Sequence, residues 1–424
     1  MSGRGVGVAA ALFAAVDAAP KIWEEGGLWR RRLPVRLYRW RRSLQAAAAL
    51  SLVAAAILAI PLLVIASGLI VYPMSFFVQM VDADAGHRVA MAYSALVARA
   101  FEPPALPTLI PRLVTFAVSA AFAALALGVM ASALRARRQS AQRGRGPWWS
   151  RLVDSPWSAA PGLAHFRAAL WQLFRGPAHA HAPAPGELSR RYVELLADNL
   201  GQPGFRELIV TMLDLETRTD LIFALVVEGR RQSFFHRDRS AHVVRPERSG
   251  DLIDLAGVGR SQALDVLAGA LSVPVITQPH LLAFSPESYW KGETHRTCDR
   301  PAAVGRLFHE LASAGVEQVI VISAAAERPA PHRLNRPSGT LRARMTEHLA
   351  AADASVVRDA IAAHAAHFHG VFLIQPEHNP VGPFDFAGAY DERSDRFQSV
   401  EELVDRGYED AYRQFIEPIV GAVE

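Results

Sequence analysis

Two groups of residues in this chain have types and spacings that could support chemistry. Ser261 stands in a Gly-x-Ser-x-Ala pattern over residues 259–263, directly before a predicted helix. A serine at such a turn can be a nucleophile, but it can equally cap the helix, and we favour the cap. His364, His367 and His369 have near-helical spacing and could bind a metal ion. Because no acidic residue or cysteine accompanies them, we interpret them as a helix-surface cluster.

The elements that would position catalytic residues are clearest between residues 301 and 374. A proline starts a predicted helix over 301–314, a glycine ends it, and four β-branched residues at 319–322 predict a buried strand. A second helix over 356–369 leads to a second apolar strand over 371–374. Because a strand–helix–strand unit normally brings its strands together in parallel, we expect these two strands to be parallel neighbours.

The order of these features resembles the later half of a patatin-like phospholipase domain. The resemblance rests on a helix that ends in a Ser-x-Pro segment at 268–274, an Asp-x-Pro step at 299–301 and the strand at 315–323. Residues 205–226 also look like the family's Asp-Leu-x-Thr-Gly turn between two strands, with Arg218 in place of the glycine. We therefore expect strands on both sides of residues 214–220. The resemblance covers about half of the chain and implies a three-layer α/β fold.

In this family the nucleophile is a serine at a Gly-x-Ser-x-Gly elbow, preceded by a Gly-rich loop that binds the oxyanion. The first residues of the chain resemble such an elbow. Aligning Gly3 and Gly7 with the motif glycines puts Gly5 at the serine position. Ser2 is the only hydroxyl nearby, and it fits only in a shifted register with Arg4 at the final glycine. The Gly-rich loop and the strand before the elbow are both missing from the pattern.

The resemblance also implies a carboxylate base from an Asp-Gly-Gly/Ala turn. Counting back from the Asp-x-Pro step puts Glu293 at this position, with Thr294 and His295 replacing the glycines, while Asp299 falls at the family's asparagine. The candidate catalytic residues are therefore Ser2, Glu293 and Asp299, although a solvated loop carboxylate is an equally good interpretation of Glu293. The family's serine–carboxylate chemistry implies no cofactor and no metal.

Two apolar runs predict a membrane anchor. Residues 43–81 and 113–134 carry no charge, and each run can supply the ~20 residues that cross a bilayer. We place the spans at 47–70 and 113–134. Basic residues precede the first run and follow the second, which predicts a multi-pass membrane protein with both termini cytoplasmic. The arginine-aromatic mixture at 21–42 could contact nucleic acid, but we assign it to the membrane surface and expect lipids as partners.

Composition adds few limits. The chain has 424 residues, a net charge of +4 and one cysteine, so it cannot form an intramolecular disulfide. We expect four segments: an apolar then Arg/aromatic segment at 1–42, a transmembrane hairpin at 43–135, a basic juxtamembrane segment and linker at 136–186, and a patatin-like α/β domain at 187–424. The oligomeric state cannot be read from the sequence.

The predicted fold class is accordingly α/β: a patatin-like three-layer domain missing its first strands, with a two-helix transmembrane hairpin. The predicted function is that of a membrane-anchored, patatin-like lipid acyl-ester hydrolase with impaired activity. The alternatives are a catalytically silent membrane scaffold or lipid-binding protein, and a chain whose true start lies upstream. Little or no lipase activity is expected, because the oxyanion loop, the nucleophile and the glycines that aim the base are all missing.

Overall fold

The computed structural model describes residues 1–3, 5–16, 18, 38–101, 110–139, 155–175, 181–200, 207–235, 250–323, 341–376 and 400–421. The chain divides into two compact units. Residues 1–39 and 157–424 form the first, here called the main unit, and residues 40–156 form the second, here called the inserted unit. The first residues of the chain therefore belong to the same unit as residues 187–424. The predicted segments had placed these two parts of the chain in separate domains.

The described residues form ten strands. They are β1 (Ser2–Gly3), β2 (Arg39–Trp40), β3 (Trp157–Ser158), β4 (Glu207–Asp214), β5 (Thr219–Val226), β6 (Leu252–Asp254), β7 (His280–Ala283), β8 (Thr294–Cys298), β9 (Gln318–Ile322) and β10 (Gly370–Ile374).

The same residues form twelve α-helices. They are α1 (Val6–Ala14), α2 (Arg42–Val81), α3 (Ala83–Phe101), α4 (Ile110–Gln139), α5 (Ala160–Arg175), α6 (Pro185–Asn199), α7 (Glu228–Phe235), α8 (Ala263–Ala270), α9 (Ala303–Ser313), α10 (Leu341–His364), α11 (Val400–Ala411) and α12 (Glu417–Gly421). A 3₁₀ turn (Ala365–His367) follows α10, and a π-helical turn (Tyr412–Ile416) joins α11 to α12.

The main sheet has six strands in the order β6-β5-β4-β8-β7, with β1 also paired to β4. Strands β4 and β5 are antiparallel from Glu207 opposite Val226 to Asp214 opposite Thr219, which confirms the strand pair predicted around residues 214–220. In the turn between them Arg218 adopts a left-handed φ of 60°, at the position where the patatin-like pattern has its glycine.

Strands β1 and β8 approach each other along one edge of β4. The other edge of β4 is paired with β5 along its whole length, so β1 and β8 must share the remaining edge. Strand β1 runs parallel to β4 and ends where Gly3 lies opposite Val210, whereas β8 runs antiparallel and ends where Cys298 lies opposite Leu213. The residues that follow β1 and those that follow β8 therefore meet near the same point of the sheet.

The sheet separates two cores because its side chains alternate between faces. From β4, Leu208, Val210 and Met212 join a large core that includes residues of α1, α5, α6 and α8. Ile209 points to the other face and joins a smaller core with residues of α7 and α9. Each large side chain buried in this way stabilises the fold by about 1.5–3 kcal/mol, so helix α1 is anchored firmly on the face that carries α8.

A second sheet contains only β9 and β10. The two strands are parallel and in direct register, from Gly370 opposite Gln318 to Ile374 opposite Ile322. The prediction that residues 319–322 and 371–374 form adjacent parallel strands is therefore confirmed. Phe308 of α9, Val319 of β9 and Ala360 of α10 belong to the core that supports this sheet.

The predicted fold class is wrong. The main sheet is mixed, with antiparallel β4–β5, β4–β8 and β7–β8 pairs beside parallel β1–β4 and β5–β6 pairs, and β9 and β10 form a separate sheet. A short strand before the elbow, which the sequence pattern lacked, is present as β1. The architecture is a mixed α/β main unit with an inserted unit of long helices, not a patatin-like domain joined to a transmembrane hairpin.

The predicted membrane anchor is also wrong. Helices α2, α3 and α4 occupy the inserted unit, but in the part of the chain that the structure describes no helix is both long enough and apolar enough to cross a bilayer. The spans at 47–70 and 113–134 are therefore not supported. The predicted multi-pass membrane location and the cytoplasmic placement of both termini depended on these spans. They are therefore not supported either.

Candidate functional site

The chain makes a tight strand-to-helix turn immediately after β1. Gly5, the residue before α1, has φ 54° and ψ −136°, a region that residues with a side chain rarely adopt. The turn is so close that a Cβ on Gly3 would lie 2.8 Å from the carbonyl oxygen of Gly7. A strand, a strained apex residue and a helix in this order form the elbow on which serine hydrolases carry their nucleophile.

A carboxylate faces the apex of this elbow. A Cβ built on Gly5 would point at Asp299 and lie 3.2 Å from its Oδ2 atom. The backbone N–H of Asp299 donates to the carbonyl oxygen of Ser272 at 2.8 Å, and the next residue, Arg300, forms an ion pair with Asp220 at the start of β5. Asp299 is therefore held in place from both sides.

The chemistry that this arrangement could support is acyl transfer, if residue 5 carried a nucleophile. A side chain at position 5 would be directed at a carboxylate that could accept its proton. The first amides of α1 have no acceptors within the helix, and a helix N-terminus favours negative charge. Such amides can stabilise the oxyanion of a tetrahedral intermediate. Gly5, however, has no side chain that could attack a substrate.

Two buried groups adjoin the carboxylate. The hydroxyl of Tyr38 donates to the carbonyl oxygen of Leu271 at 3.0 Å, and its pKa is raised by burial and then by the negative charge of Asp299. Burial, followed by the same charge, raises the pKa of the Cys298 thiol to about 11. Both groups are therefore uncharged near neutral pH, so neither balances the charge of the Asp299 carboxylate.

The structure separates the three predicted catalytic residues. Asp299 lies at the elbow, although the sequence pattern placed it at the family's asparagine. Ser2 lies in β1 opposite Ile209, and at about 3.3 Å per residue it is roughly 10 Å along the chain from the apex. Glu293 lies before β8, with its side chain 68% exposed and its Oε2 atom 3.2 Å from Nε2 of His295.

A second cluster of ionisable groups lies at the other end of β8. Nδ1 of the buried His295 is 2.7 Å from Oδ2 of Asp214, a carboxylate with no solvent exposure, and Nε2 faces Glu293. The rings of Phe284 and Trp290 pack against the imidazole with centroids 4.9 and 4.7 Å away. Only a protonated imidazole can donate hydrogen bonds to both carboxylates.

The cluster at His295 does not have the features of a catalytic site. Asp214 also accepts hydrogen bonds from the backbone N–H of Glu216 and the hydroxyl of Thr217, both at 2.9 Å. The imidazole is enclosed by two aromatic rings, so neither nitrogen can reach a substrate without rearrangement. We interpret this cluster as the anchor of the loop between β7 and β8.

Ser261 and His364 belong to the two sites that had alternative interpretations in the sequence. Helix α8 begins at Ala263 after Gln262, so Ser261 lies in the turn before it and is not its N-cap residue. His364 stacks on Phe308, and among the described residues no group of three His, Cys, Asp or Glu side chains could hold a metal ion.

Sequence reasoning missed the partners of the carboxylate. Gly5 was aligned with the nucleophile, but the pairing of Gly5 with Asp299 depends on β1 and β8 meeting at β4, which no local pattern encodes. Tyr38 and His295 were missed for the same reason, because their partners Leu271 and Asp214 are distant in the chain. The Gly-x-Gly-x-Gly spacing of residues 3–7 was the signal that did identify the apex.

The comparisons with known proteins leave the family open. No known family model matches the chain, and a search of curated proteins finds no match. The resemblance to patatin-like domains therefore stays a prediction that rests on the sequence pattern alone.

Proposed function

We propose that this chain is a catalytically silent binding protein for neutral acyl esters, built on a serine-hydrolase elbow whose nucleophile position is glycine. The observation that carries the proposal is the apex itself. Gly5 has the strained backbone of an elbow residue, and its missing side chain would point at Asp299 from 3.2 Å. The backbone geometry of an acyl-transfer site is present, and the attacking atom is not.

The electrostatics of the site favour an uncharged ester over a free acid. The amides at the start of α1 suit a carbonyl oxygen, which carries partial negative charge. The carboxylate of Asp299 opposes a full negative charge at the same place, because two like charges close together in a poorly solvated site repel each other. A fatty acid anion should therefore bind more weakly than its methyl ester. The sequence resemblance to patatin-like domains supports acyl chains as the ligand class.

The expected lack of ester hydrolysis follows from the chemistry of the reaction. Ester cleavage by this route needs an oxygen that forms a bond to the carbonyl carbon while its proton moves to the base. Glycine has no such oxygen, and the hydroxyl of Ser2 belongs to a strand residue before the turn. Asp299 retains the position of the base but has no proton to accept from residue 5.

The first test restores the missing atom. In Gly5→Ser the new Oγ should attack the phosphorus of a fluorophosphonate probe, pass its proton to Asp299 and displace fluoride. We expect stoichiometric labelling of this variant and none of the wild-type chain. Adding Asp299→Asn should reduce the labelling rate by about 10²-fold or more, which is the usual scale for losing a general base.

Two variants control this test. Gly5→Ala makes the same demands on the backbone as Gly5→Ser but has no oxygen, so it should fold as well and remain unlabelled. Ser2→Ala should change nothing in either background. Labelling of the wild-type chain that disappears in Ser2→Ala, or a well-folded Gly5→Ser that is not labelled, would show that the elbow is not a hydrolase elbow.

The second test measures binding by the wild-type chain. A dansylated undecanoic acid methyl ester should bind saturably, without release of methanol, and more tightly than the corresponding free acid. In Asp299→Asn the preference for the ester should shrink, because the repulsion of the acid is removed. Equal binding of ester and acid to the wild-type chain would contradict the proposed ligand.

A further inference from the structure

Residues 271–277, which follow α8 and are here called the junction segment, hold two residues of the candidate site. The carbonyl oxygen of Leu271 accepts the hydrogen bond from the Tyr38 hydroxyl, at 3.0 Å. The next carbonyl oxygen, that of Ser272, accepts the backbone N–H of Asp299 at 2.8 Å. A shift of this part of the junction segment would therefore move Asp299 and Tyr38 together.

The far end of the junction segment holds the chain where it returns from the inserted unit. The N–H of Trp157 donates to the carbonyl oxygen of Ile276 at 3.2 Å, and Trp157 forms a parallel bridge with Thr277. The main unit comprises residues 1–39 and 157–424, so Tyr38 and Trp157 lie at the two points where the chain leaves and re-enters it. Both points are therefore hydrogen-bonded to the junction segment, and so is the backbone of Asp299.

The junction segment is strained between these two attachments. Val275 has a left-handed φ of 68°, which is an outlier for a β-branched residue, and its side chain is 84% exposed. The N–H of Ile276 donates to the carbonyl oxygen of Pro274 at 2.8 Å, two residues back, which closes a rare and strained turn. Strained backbone persists only where its surroundings hold it, and here the attachments lie on both sides.

We propose that the junction segment transmits the conformation of the inserted unit to Asp299, and that Tyr38 is the positioning residue through which it acts. The main reasons are that both chain crossings bind this segment, that Asp299 binds it too, and that its backbone is strained. The ligand affinity of the elbow would then depend on the state of a helical unit more than a hundred residues long.

The chain contains its own reporter for this coupling. Cys298 is the only cysteine, is 2% exposed and directly precedes Asp299. A thiol reacts only when it is accessible, so its alkylation rate measures how often the end of β8 opens. This readout does not depend on any ligand or on the proposed function.

The first experiment removes the hydroxyl of Tyr38 from the full chain. In Tyr38→Phe the alkylation of Cys298 by iodoacetamide under native conditions should become at least about tenfold faster. The control is Tyr192→Phe, which removes another buried hydroxyl that donates to a backbone carbonyl, that of Leu12 in α1. It should leave the rate within twofold. Equal acceleration by both variants would reduce Tyr38 to a general stabilising residue and overturn the proposal.

The second experiment perturbs the inserted unit itself. A Cβ on Gly128 of α4 would lie 2.7 Å from the side chain of Ser43 at the start of α2, a few residues after Tyr38. Gly128→Leu should therefore displace the start of α2 and change the Cys298 alkylation rate several-fold. Gly407→Leu, where the added Cβ meets no atom within 4 Å, should not.

The double variant, Gly128→Leu with Tyr38→Phe, tests whether Tyr38 transmits the change in the inserted unit to Cys298. If it does, Gly128→Leu should have little further effect in the Tyr38→Phe background, because coupled residues are not additive. Additive effects, or no effect of Gly128→Leu in a folded protein, would refute the proposal.

The proposal concerns ligand affinity only because it rests on the proposed function. A final measurement in the Gly5→Ser background separates the two ideas, since Tyr38→Phe should slow fluorophosphonate labelling and shift its pH dependence. An unlabelled Gly5→Ser chain would sink the proposed function alone. A labelling rate and pH dependence that Tyr38→Phe leaves unchanged would contradict the coupling proposal alone.

Discussion

A carboxylate lies near each end of β8, and the two ends differ in the groups that face it. At the start of the strand His295 lies between Asp214 and Glu293 and is enclosed by two aromatic rings. At its end Asp299 faces Gly5, which has no side chain, across a strained turn. A cluster whose polar groups bind one another stabilises a fold, whereas a carboxylate beside a strained glycine turn is a candidate for function.

The largest effect that would test this comparison is at His295. His295→Ala should lower the free energy of unfolding by about 3 kcal/mol, because it leaves the buried Asp214 carboxylate without its imidazole partner. Urea denaturation gives this value. His295→Gln, which can still donate a hydrogen bond, should lose less. A loss below about 1 kcal/mol for the alanine variant would remove the distinction between a structural and a functional end.

Alkaline titration of Cys298, which lies between the two ends, should have the next largest effect. Its pKa is about 11 in the folded protein, against 9.0 for an unperturbed thiol, because of burial and then the negative charge of Asp299. A raised pKa in the folded state means that the stabilising contribution is complete below pH 9 and is lost as the pH rises through 11, by at most about 3 kcal/mol. Urea denaturation at several pH values should show this loss, and Cys298→Ala should flatten it. Parallel curves for both proteins would contradict the assignment.

Strain should also differ between the two ends. Val275, in the segment that holds Asp299, is β-branched at φ 68°, whereas Lys291, in the loop before His295, has φ 47° and an unbranched Cβ. Val275→Gly should stabilise the protein by about 1 kcal/mol, because the relief of strain exceeds the entropy cost of glycine. Lys291→Gly should change stability less. The melting temperatures of the two variants, measured side by side, test this prediction. An equal change in both would show that the backbone near Asp299 is no more strained than the loop before His295.

The smallest effect on stability is expected at Asp299. Asp299→Asn keeps the backbone hydrogen bond to Ser272 and should change the free energy of unfolding by less than about 1 kcal/mol, because residues held for function are seldom needed for stability. The contrast with His295→Ala is the sharpest form of the comparison. A loss of several kcal/mol in urea denaturation would make Asp299 a structural residue.

Local patterns predicted the elements of the main unit better than their assembly. The hairpin around residues 214–220 and the parallel pair β9–β10 were predicted because continuous apolar runs beside turn residues and strand–helix–strand order are encoded nearby in the chain. The prediction of membrane spans failed because it inferred apolarity from the lack of charge over about 20 residues, whereas no described helix is both long enough and apolar enough to cross a bilayer. The choice between Glu293 and Asp299 could not be made, because it depends on β1 and β8, which are almost 300 residues apart in the chain, meeting at the same edge of β4.

The pairing of β1 with β4 has a consequence for the order in which the protein is built. The N-terminal amine of Met1 donates to the carbonyl oxygen of Glu207, a contact that spans 206 residues. At a synthesis rate of about 5–20 residues per second, the ribosome makes the partner strand roughly 10–40 s after β1. During that interval the whole inserted unit emerges and can fold, while the elbow cannot close. The candidate site therefore forms after the inserted unit can fold, and newly made chains should pass through a state in which the helical unit is complete and the candidate site is not.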